Sequence, residues 1–151
     1  MHGLRIGGHP LHPALVHFPV VCWTVAPLTD GLYAFLRVPV WWQISWWLLA
    51  TGSLTGLAAM IAGTLDLFAI PARHPAQPVA QRHMLLMGSA WCILLLDWLL
   101  RPSSGMPDAL IMWCGLTLSV AGWLITVVGA YSGAQLVYRY GIGQTAQHDS
   151  P

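Results

Sequence analysis

The chain has no lysine and no glutamate, and only 7% of its 151 residues are charged. An ordinary soluble domain carries about 25% charged residues, so this composition excludes that class. A net charge of +1 provides no basic surface for nucleic acid. The chain also has no CxxC pair, no Ser/Gly-rich linker and no small-residue cleavage site after a short apolar core. We therefore expect no redox thiol pair, no second domain and no cleaved signal.

What the chain does contain is apolar, since 56% of the residues are hydrophobic and nine are tryptophan. Four apolar runs are long enough to cross a hydrocarbon core of about 30 Å. They are Ala14–Leu36, Trp42–Ile70, Met84–Leu100 and Asp108–Tyr131, followed by a tail over 132–151. Because the connections are short, the runs predict an all-α membrane protein with one domain over 1–151. Its fold is an up-down bundle of four transmembrane helices with both termini on one side.

Arginine is the only strong base, and its distribution predicts the orientation of the bundle. Four arginines fall on the side of the termini and two on the other side; the four are Arg5, Arg73, Arg82 and Arg139. The positive-inside rule then places both termini in the cytoplasm. Trp41, Trp42, Trp46 and Trp47 cluster at the opposite end, as expected of aromatic side chains at a membrane interface.

Small residues recur along the second and fourth helices at helical spacing. In the second helix they are Gly52, Gly56, Ala59 and Gly63, with Asp66 next on the same stripe. The fourth helix repeats the rhythm through Gly115, Ser119, Gly122, Thr126, Gly129 and Gly133. Such stripes allow close approach between membrane helices, so we expect them to face the bundle interior and Asp66 to point inward.

Histidine is concentrated at the cytoplasmic end of the predicted bundle. His9, His12 and His17 lie among prolines at the start of the first helix, and His83 opens the third helix. Buried imidazoles need a hydrogen-bond partner or a ligand. At the outer end, Asp30 and Asp97 accompany Arg37 and Arg101. We interpret these two carboxylates as helix-end hydrogen-bonding groups or as partners of the arginines.

Two kinds of occupant fit the histidines. Haem b needs two axial donors on facing helices, which one histidine of the first helix and His83 would provide. Arg82 or Arg139 would then face the propionates. A divalent metal needs three or four close donors instead. The set that would provide them is His12, His17, His83 and Asp66.

Several motifs resemble a bacterial membrane family known as domain of unknown function 2231. The first is Gly8-His9-Pro10-Leu11-His12-Pro13 with Val16-His17-Phe18-Pro19. The others are Gly63-Thr64-Leu65-Asp66, His83 at the start of the third helix, and the segment 133–143. Relatives fused to Rieske or c-type cytochrome domains imply an electron-transfer setting and a bacterial cytoplasmic membrane.

With this resemblance, the leading hypothesis is a haem b-binding, cytochrome-like electron-transfer protein. His17 and His83 would be the axial ligands, with His12 as the substitute for His17, and the haem would lie near the cytoplasmic end. Asp66 would hydrogen-bond a ligating imidazole, and Arg82 or Arg139 would face the propionates. The partners would be the bilayer and a quinone or a redox protein, and the chain would act as a carrier or subunit rather than a stand-alone enzyme.

Two alternatives stay open. One is a membrane metal-binding protein with a histidine and aspartate site. The other is a non-catalytic subunit or anchor of a larger redox complex, in which the histidines make internal hydrogen bonds. Glycine stripes left over after intramolecular packing would allow a homo-oligomer.

Overall fold

The fold is helical, as seen in a computed structural model that describes residues 5–7, 9–103 and 105–144. Two short antiparallel strands, β1 (Arg5–Ile6) and β2 (His9–Pro10), precede five helices. The helices are α1 (Leu11–Leu15), α2 (His17–Leu36), α3 (Pro39–Phe68), α4 (Gln77–Leu100) and α5 (Ala109–Tyr140). With α1 and α2 taken as one span, four helices are long and apolar enough to cross a membrane. The predicted four-helix transmembrane fold is confirmed.

The helix ends differ from the apolar runs. α4 begins at Gln77, so His83 lies in its second turn rather than at its start. α5 continues to Tyr140, so the predicted tail over 132–151 begins nine residues too early. An apolar run marks only the stretch suited to hydrocarbon, whereas the helical backbone continues into polar turns. Local capping sets the real ends: Asp108 accepts a hydrogen bond from the amide of Ile111, and Gly141 ends α5 in the left-handed conformation.

A proline divides the first membrane span. Pro19 has no amide N–H to bond the carbonyl of Leu15, and its ring crowds that carbonyl. The helix is accordingly interrupted at Val16, a single turn residue between α1 and α2. None of the residues of α1 is fully buried. The short helix that carries His12 is therefore a separate element, which packs against α3 without a fully buried side chain.

The four long helices form a ring of two hairpins. α2 packs along α3, and α4 packs along α5; the ring closes through contacts of α3 with α4 and of α2 with α5. We call α1 to α3 the first hairpin and α4 with α5 the second hairpin. Each contact in one hairpin thus has a counterpart in the other, which indicates an internal repeat.

The repeat is visible residue by residue. Trp41–Leu49 on α3 and Ile111–Ser119 on α5 show the same order of buried, half-buried and exposed positions, offset by 70 residues. Trp23 of α2 packs on Gly52 of α3 in the way that Leu94 of α4 packs on Gly122 of α5. The offset is again 70 between the glycines, and it is 71 between the side chains that pack on them. The chain is therefore two tandem helical hairpins that share one packing scheme.

Glycine is required where these side chains cross between helices. A Cβ added to Gly56 would lie 2.8 Å from the Trp23 ring and 3.2 Å from that of Trp91. No real Cβ approaches a ring atom as closely as 2.8 Å, so the indole of Trp23 fits only because the glycine has no side chain. This confirms that the small-residue stripes face the interior and bring the helices together.

Candidate functional site

Two groups of polar side chains lie inside the bundle, at opposite ends of its helices. We call His12 and His83 the histidine pair, at the end where α2 and α4 begin. Near the end where these helices finish lie the side chains of Asp30, Asp97, Arg101 and Ser45, which we call the arginine cluster. Both groups join the two hairpins, but their polar atoms are satisfied to different degrees.

The histidine pair brings together two imidazoles from different hairpins. The ring centres of His12 and His83 are 6.3 Å apart, and the ring planes are inclined by 80°. His12 donates a hydrogen bond of 2.8 Å from Nδ1 to the carbonyl of Ala59 on α3. His83 donates one of 2.8 Å from Nδ1 to the carbonyl of Gly129 on α5. The two rings are thus held in the same way by equivalent positions of the repeat.

A glycine supports each ring. A Cβ added to Gly63 would lie 2.9 Å from Cε1 of His12, and one added to Gly133 would lie 2.9 Å from Cε1 of His83. Each imidazole therefore rests directly against the backbone of the neighbouring helix. A carbonyl on one turn and a glycine on the next leave the ring little rotational freedom.

These contacts fix which nitrogen is available. A backbone carbonyl only accepts hydrogen bonds, so the Nδ1 that bonds it must carry the proton. In a neutral imidazole the lone pair then lies on Nε2, the nitrogen that ligates metals or accepts protons. The carbonyls of Ala59 and Gly129 play the part that was predicted for Asp66, namely fixing the tautomer.

The other predicted site residues differ in exposure. His17 is exposed, and its Nδ1 lies 3.4 Å from the carbonyl of Ala14 in its own chain segment. Asp66 is half-buried on α3, one turn beyond Gly63. Arg82 and Arg139 are exposed, on α4 next to His83 and near the end of α5. Of the two histidines considered for the first helix, His12 is the one that faces His83.

A larger donor set does not form at this end. Within 5–7, 9–103 and 105–144, no three His, Cys, Asp or Glu side chains converge as metal ligands would. The four-donor set of His12, His17, His83 and Asp66 is therefore not assembled in the described part of the chain. Among the described residues, two imidazoles meet here without a third His, Cys, Asp or Glu donor.

At the other end, Arg101 is the centre of a buried ion-pair network. Its Nη1 lies 2.6 Å from Asp30 on α2, and its Nη2 lies 2.7 Å from Asp97 on α4. The three charged side chains are each only 1% exposed. Of the two roles expected for Asp30 and Asp97, helix-end hydrogen-bonding group or partner of an arginine, the structure shows the second, and the partner is Arg101. Arg37 is exposed.

The hydrogen-bond donors of Arg101 are all used. The guanidinium makes five bonds, which match its five N–H groups: two to Asp30, two to Asp97 and one to Ser45. All four carboxylate oxygens accept, and the Trp42 ring covers the guanidinium at 4.4 Å. Burial acts to lower the pKa of Arg101, but the hydrogen bonds and charges of the two aspartates raise that pKa above its usual value.

The arginine cluster holds all four long helices. Asp30 comes from α2, Ser45 and Trp42 from α3, and Asp97 from α4. On α5, Gly115 leaves room for the guanidinium, since an added Cβ would lie 3.1 Å from Nη2. Asp30 and Arg101 are 71 residues apart and thus occupy equivalent positions of the two hairpins. With every N–H of the guanidinium donated and every carboxylate oxygen accepting a hydrogen bond, this cluster is an architectural element.

Sequence reasoning did not identify Arg101 as a buried centre, because it was counted with the surface cations that set orientation. It also missed the carbonyls of Ala59 and Gly129, since a backbone acceptor leaves no trace in residue type. The 70-residue spacing of Gly63 and Gly133, together with His12 and His83 at the spacing of 71, was the available signal.

Comparison with known proteins agrees with the membrane fold. No curated protein and no solved structure matches the chain. A family model described as a predicted membrane protein, DUF2231, matches residues 8–146. This match covers the histidine pair, the arginine cluster and all five helices. The chain therefore belongs to the DUF2231 family of predicted membrane proteins.

Proposed function

We propose that this multi-pass membrane protein binds haem b through His12 and His83 and acts as a small electron-transfer protein. His83 is retained from the expectation based on the sequence. His12, there the substitute for His17, takes the other axial position because it is the imidazole that faces His83. The observation that carries the proposal is this facing pair of oriented imidazoles.

The number of donors favours haem over a bare metal ion. A divalent metal in a protein site needs three or four ligands from the chain. The described residues supply two at this place. A haem brings its own four equatorial nitrogens and asks the protein only for axial donors, so the set present is the set it requires.

The geometry of the pair supports the same occupant. The ring centres of His12 and His83 are 6.3 Å apart, a separation that would leave room for a metal ion about 2 Å from a nitrogen of each ring. Histidine ligands typically donate their second nitrogen to a carbonyl or carboxylate, which orients the ring. His12 and His83 both do so, at 2.8 Å.

The surroundings fit an electron-transfer role at the membrane. Arg82 and Arg139 are exposed near the ends of α4 and α5 that neighbour the pair, where they would face the propionates. The positive-inside rule would put this end at the cytoplasmic face of a bacterial inner membrane. Bound haem supplies one-electron chemistry, which would serve exchange with a quinone or a partner redox protein.

The test is spectroscopic. The protein is produced in haem-replete cells, purified in detergent and examined by a reduced-minus-oxidised spectrum and by haem extraction. We expect one haem b per chain with a spectrum typical of two histidine ligands. His12→Ala and His83→Ala should each abolish that spectrum, whereas the matched control His17→Ala should keep it, because His17 is exposed.

The contrary outcomes are distinct. Absence of a Soret band, or a band unaffected by His83→Ala, would overturn the proposal. Stoichiometric copper, zinc or iron without porphyrin would favour the metal-binding alternative. A preparation free of both, which still joins a redox complex after both histidines are replaced, would favour the structural-subunit alternative.

A further inference from the structure

The two histidines of the pair make equivalent contacts, but the helices on which they lie differ. His83 lies in the second turn of α4, a continuous helix of 24 residues. His12 lies on α1, a helix of five residues that is interrupted from α2 at Val16. This is a departure from the repeat, since every other contact of the two rings has its counterpart in the other hairpin.

The cause of the departure is one residue. Pro19 interrupts the hydrogen bonding of the first span at Leu15. At the equivalent position, 71 residues later, α4 has Ala90. Both side chains are buried, so the two positions differ in backbone hydrogen bonding rather than in exposure. The interruption is therefore present in the hairpin that carries His12 and absent from the hairpin that carries His83.

α1 packs against α3 without burying any side chain completely. Its cross-helix anchor is the hydrogen bond from His12 to Ala59, together with the contact of the ring with Gly63. Segments with few buried contacts open at lower free energy than the body of a fold. Movement at Val16 would withdraw His12 and leave His83 in position.

We infer that the histidine pair is an openable site, in which α1 swings at Val16 so that His12 is the releasable donor and His83 the fixed one. An external nitrogen-donor ligand then takes the place that His12 leaves beside His83. This builds on the proposed use of the pair as ligands, and it adds that the two axial positions are not equivalent.

Chemical labelling tests the inference without reference to haem. Diethyl pyrocarbonate labels an accessible imidazole nitrogen, and mass spectrometry assigns the label to a residue. His12 and His83 are both half-buried, so a static structure predicts similar rates. If α1 opens, His12 should be labelled about tenfold faster than His83, because reactivity follows the open population.

Replacement of Pro19, the proline that interrupts the first span, provides the decisive variants. Pro19→Ala introduces the residue found at the equivalent position and restores the missing N–H. It should slow labelling of His12 about tenfold. It should slow labelling of His83 to a smaller extent, because the opening of α1 also gives access to the nitrogen of His83 that faces His12. The control Pro27→Ala, at a buried proline further along α2, should leave both rates as they are. The reciprocal Ala90→Pro should speed labelling of His83.

Ligand exchange gives a second readout in haem-loaded protein. Added imidazole should displace His12 and change the spectrum of the wild type. In Pro19→Ala the same spectral change should be about tenfold slower. Equal labelling of the two histidines in the wild type, or a ratio unchanged by Pro19→Ala, would overturn the inference. If Ala90→Pro does not fold, the comparison of Pro19→Ala with Pro27→Ala decides. Failure to find haem would overturn the proposed function and leave the labelling result standing.

Discussion

The arginine cluster and the histidine pair are both made of polar groups from two hairpins inside a membrane bundle, yet they differ in saturation. Every N–H of Arg101 and every carboxylate oxygen of its partners is bonded. In the histidine pair one nitrogen of each ring is bonded to the backbone, and that bond reserves the other for a different partner. A polar group whose N–H groups are all bonded within the bundle holds helices together, whereas an imidazole oriented by one hydrogen bond has a second nitrogen that can bind a ligand.

The largest loss of stability should come from removing the arginine of the arginine cluster. Arg101→Ala leaves two buried carboxylates without a counter-charge, and we expect the free energy of unfolding to fall by about 3–5 kcal/mol. Denaturation in detergent, followed by circular dichroism, measures this. The control Arg37→Asn removes an exposed arginine from a left-handed position that asparagine tolerates, and it should change little. A loss below about 1 kcal/mol for Arg101→Ala would contradict the architectural role.

A triple replacement sharpens the same point. Asp30→Leu, Asp97→Leu and Arg101→Met together remove all the charges, and such replacement of a buried network by apolar residues is often neutral or stabilising. We expect the triple variant to be more stable than Arg101→Ala. The same denaturation measurement compares them, and a triple variant that is less stable than the single one would show that the cluster does more than join helices.

The next largest loss of stability should come from the two glycines against which the histidine rings rest. Gly63→Ala and Gly133→Ala each place a Cβ 2.9 Å from an imidazole carbon, so a ring or a helix must move. We expect each to cost about 1–3 kcal/mol of stability and to displace the ring from its carbonyl. Calorimetry and the haem spectrum provide the two readouts. Because the positions are equivalent in the repeat, a large effect at only one of them would contradict the equivalence.

Removal of either imidazole should cost little stability but abolish ligand binding, in contrast to the removal of Arg101. His12→Ala and His83→Ala lose one hydrogen bond each, to a carbonyl that also accepts a bond within its own helix. We therefore expect only about 1 kcal/mol of lost stability, with complete loss of ligand binding. Unfolding and ligand titration on the same preparations test this. A histidine variant as unstable as Arg101→Ala would make the pair architectural as well.

The smallest effect should be a gain in stability. Gly31 and Gly88 lie within helices near the two polar groups, and a Cβ added to either would meet nothing within 4 Å. Gly31→Ala and Gly88→Ala should each raise stability by about 0.4–1 kcal/mol, because alanine restricts the unfolded chain. Neither should alter the haem spectrum. A loss at Gly88 comparable to that of Gly133→Ala would show that the tolerance inferred from open space is wrong.

Much of the fold was predictable from apolar length. The four spans, their order and the inward faces of the glycine stripes follow from hydropathy and small-residue spacing. The ends of α4 and α5 were not predictable in this way, since Gln77 and Tyr140 lie in helical turns that are polar. At the end of α5 the left-handed Gly141 carries that information, and it is local rather than periodic. The start of α4 has no side-chain cap.

The site was predictable only in part. The expectation that a histidine of the first helix meets His83 depends on topology, and the structure shows such a pair. Which histidine it is depends on the rotation of α1 relative to α2, and the interruption at Val16 sets that rotation. Residue spacing along one ideal helix cannot express it. Ligation itself, by either His12 or His17, stays a prediction.

The opposite charges at equivalent positions also make the two hairpins unlike partners. Two copies of the first hairpin would set Asp30 against Asp30, a repulsion in a medium of low dielectric. Two copies of the second would each keep their own pair of Arg101 with Asp97 but would lack the second carboxylate. A first and a second hairpin together give Asp30 its counter-charge and Arg101 both of its carboxylates. If the chain were cut in the connection between α3 and α4, we would accordingly expect each first hairpin to associate with a second hairpin. The opposite charges at equivalent positions thus select the correct pairing of two similar halves among many helices in one bilayer.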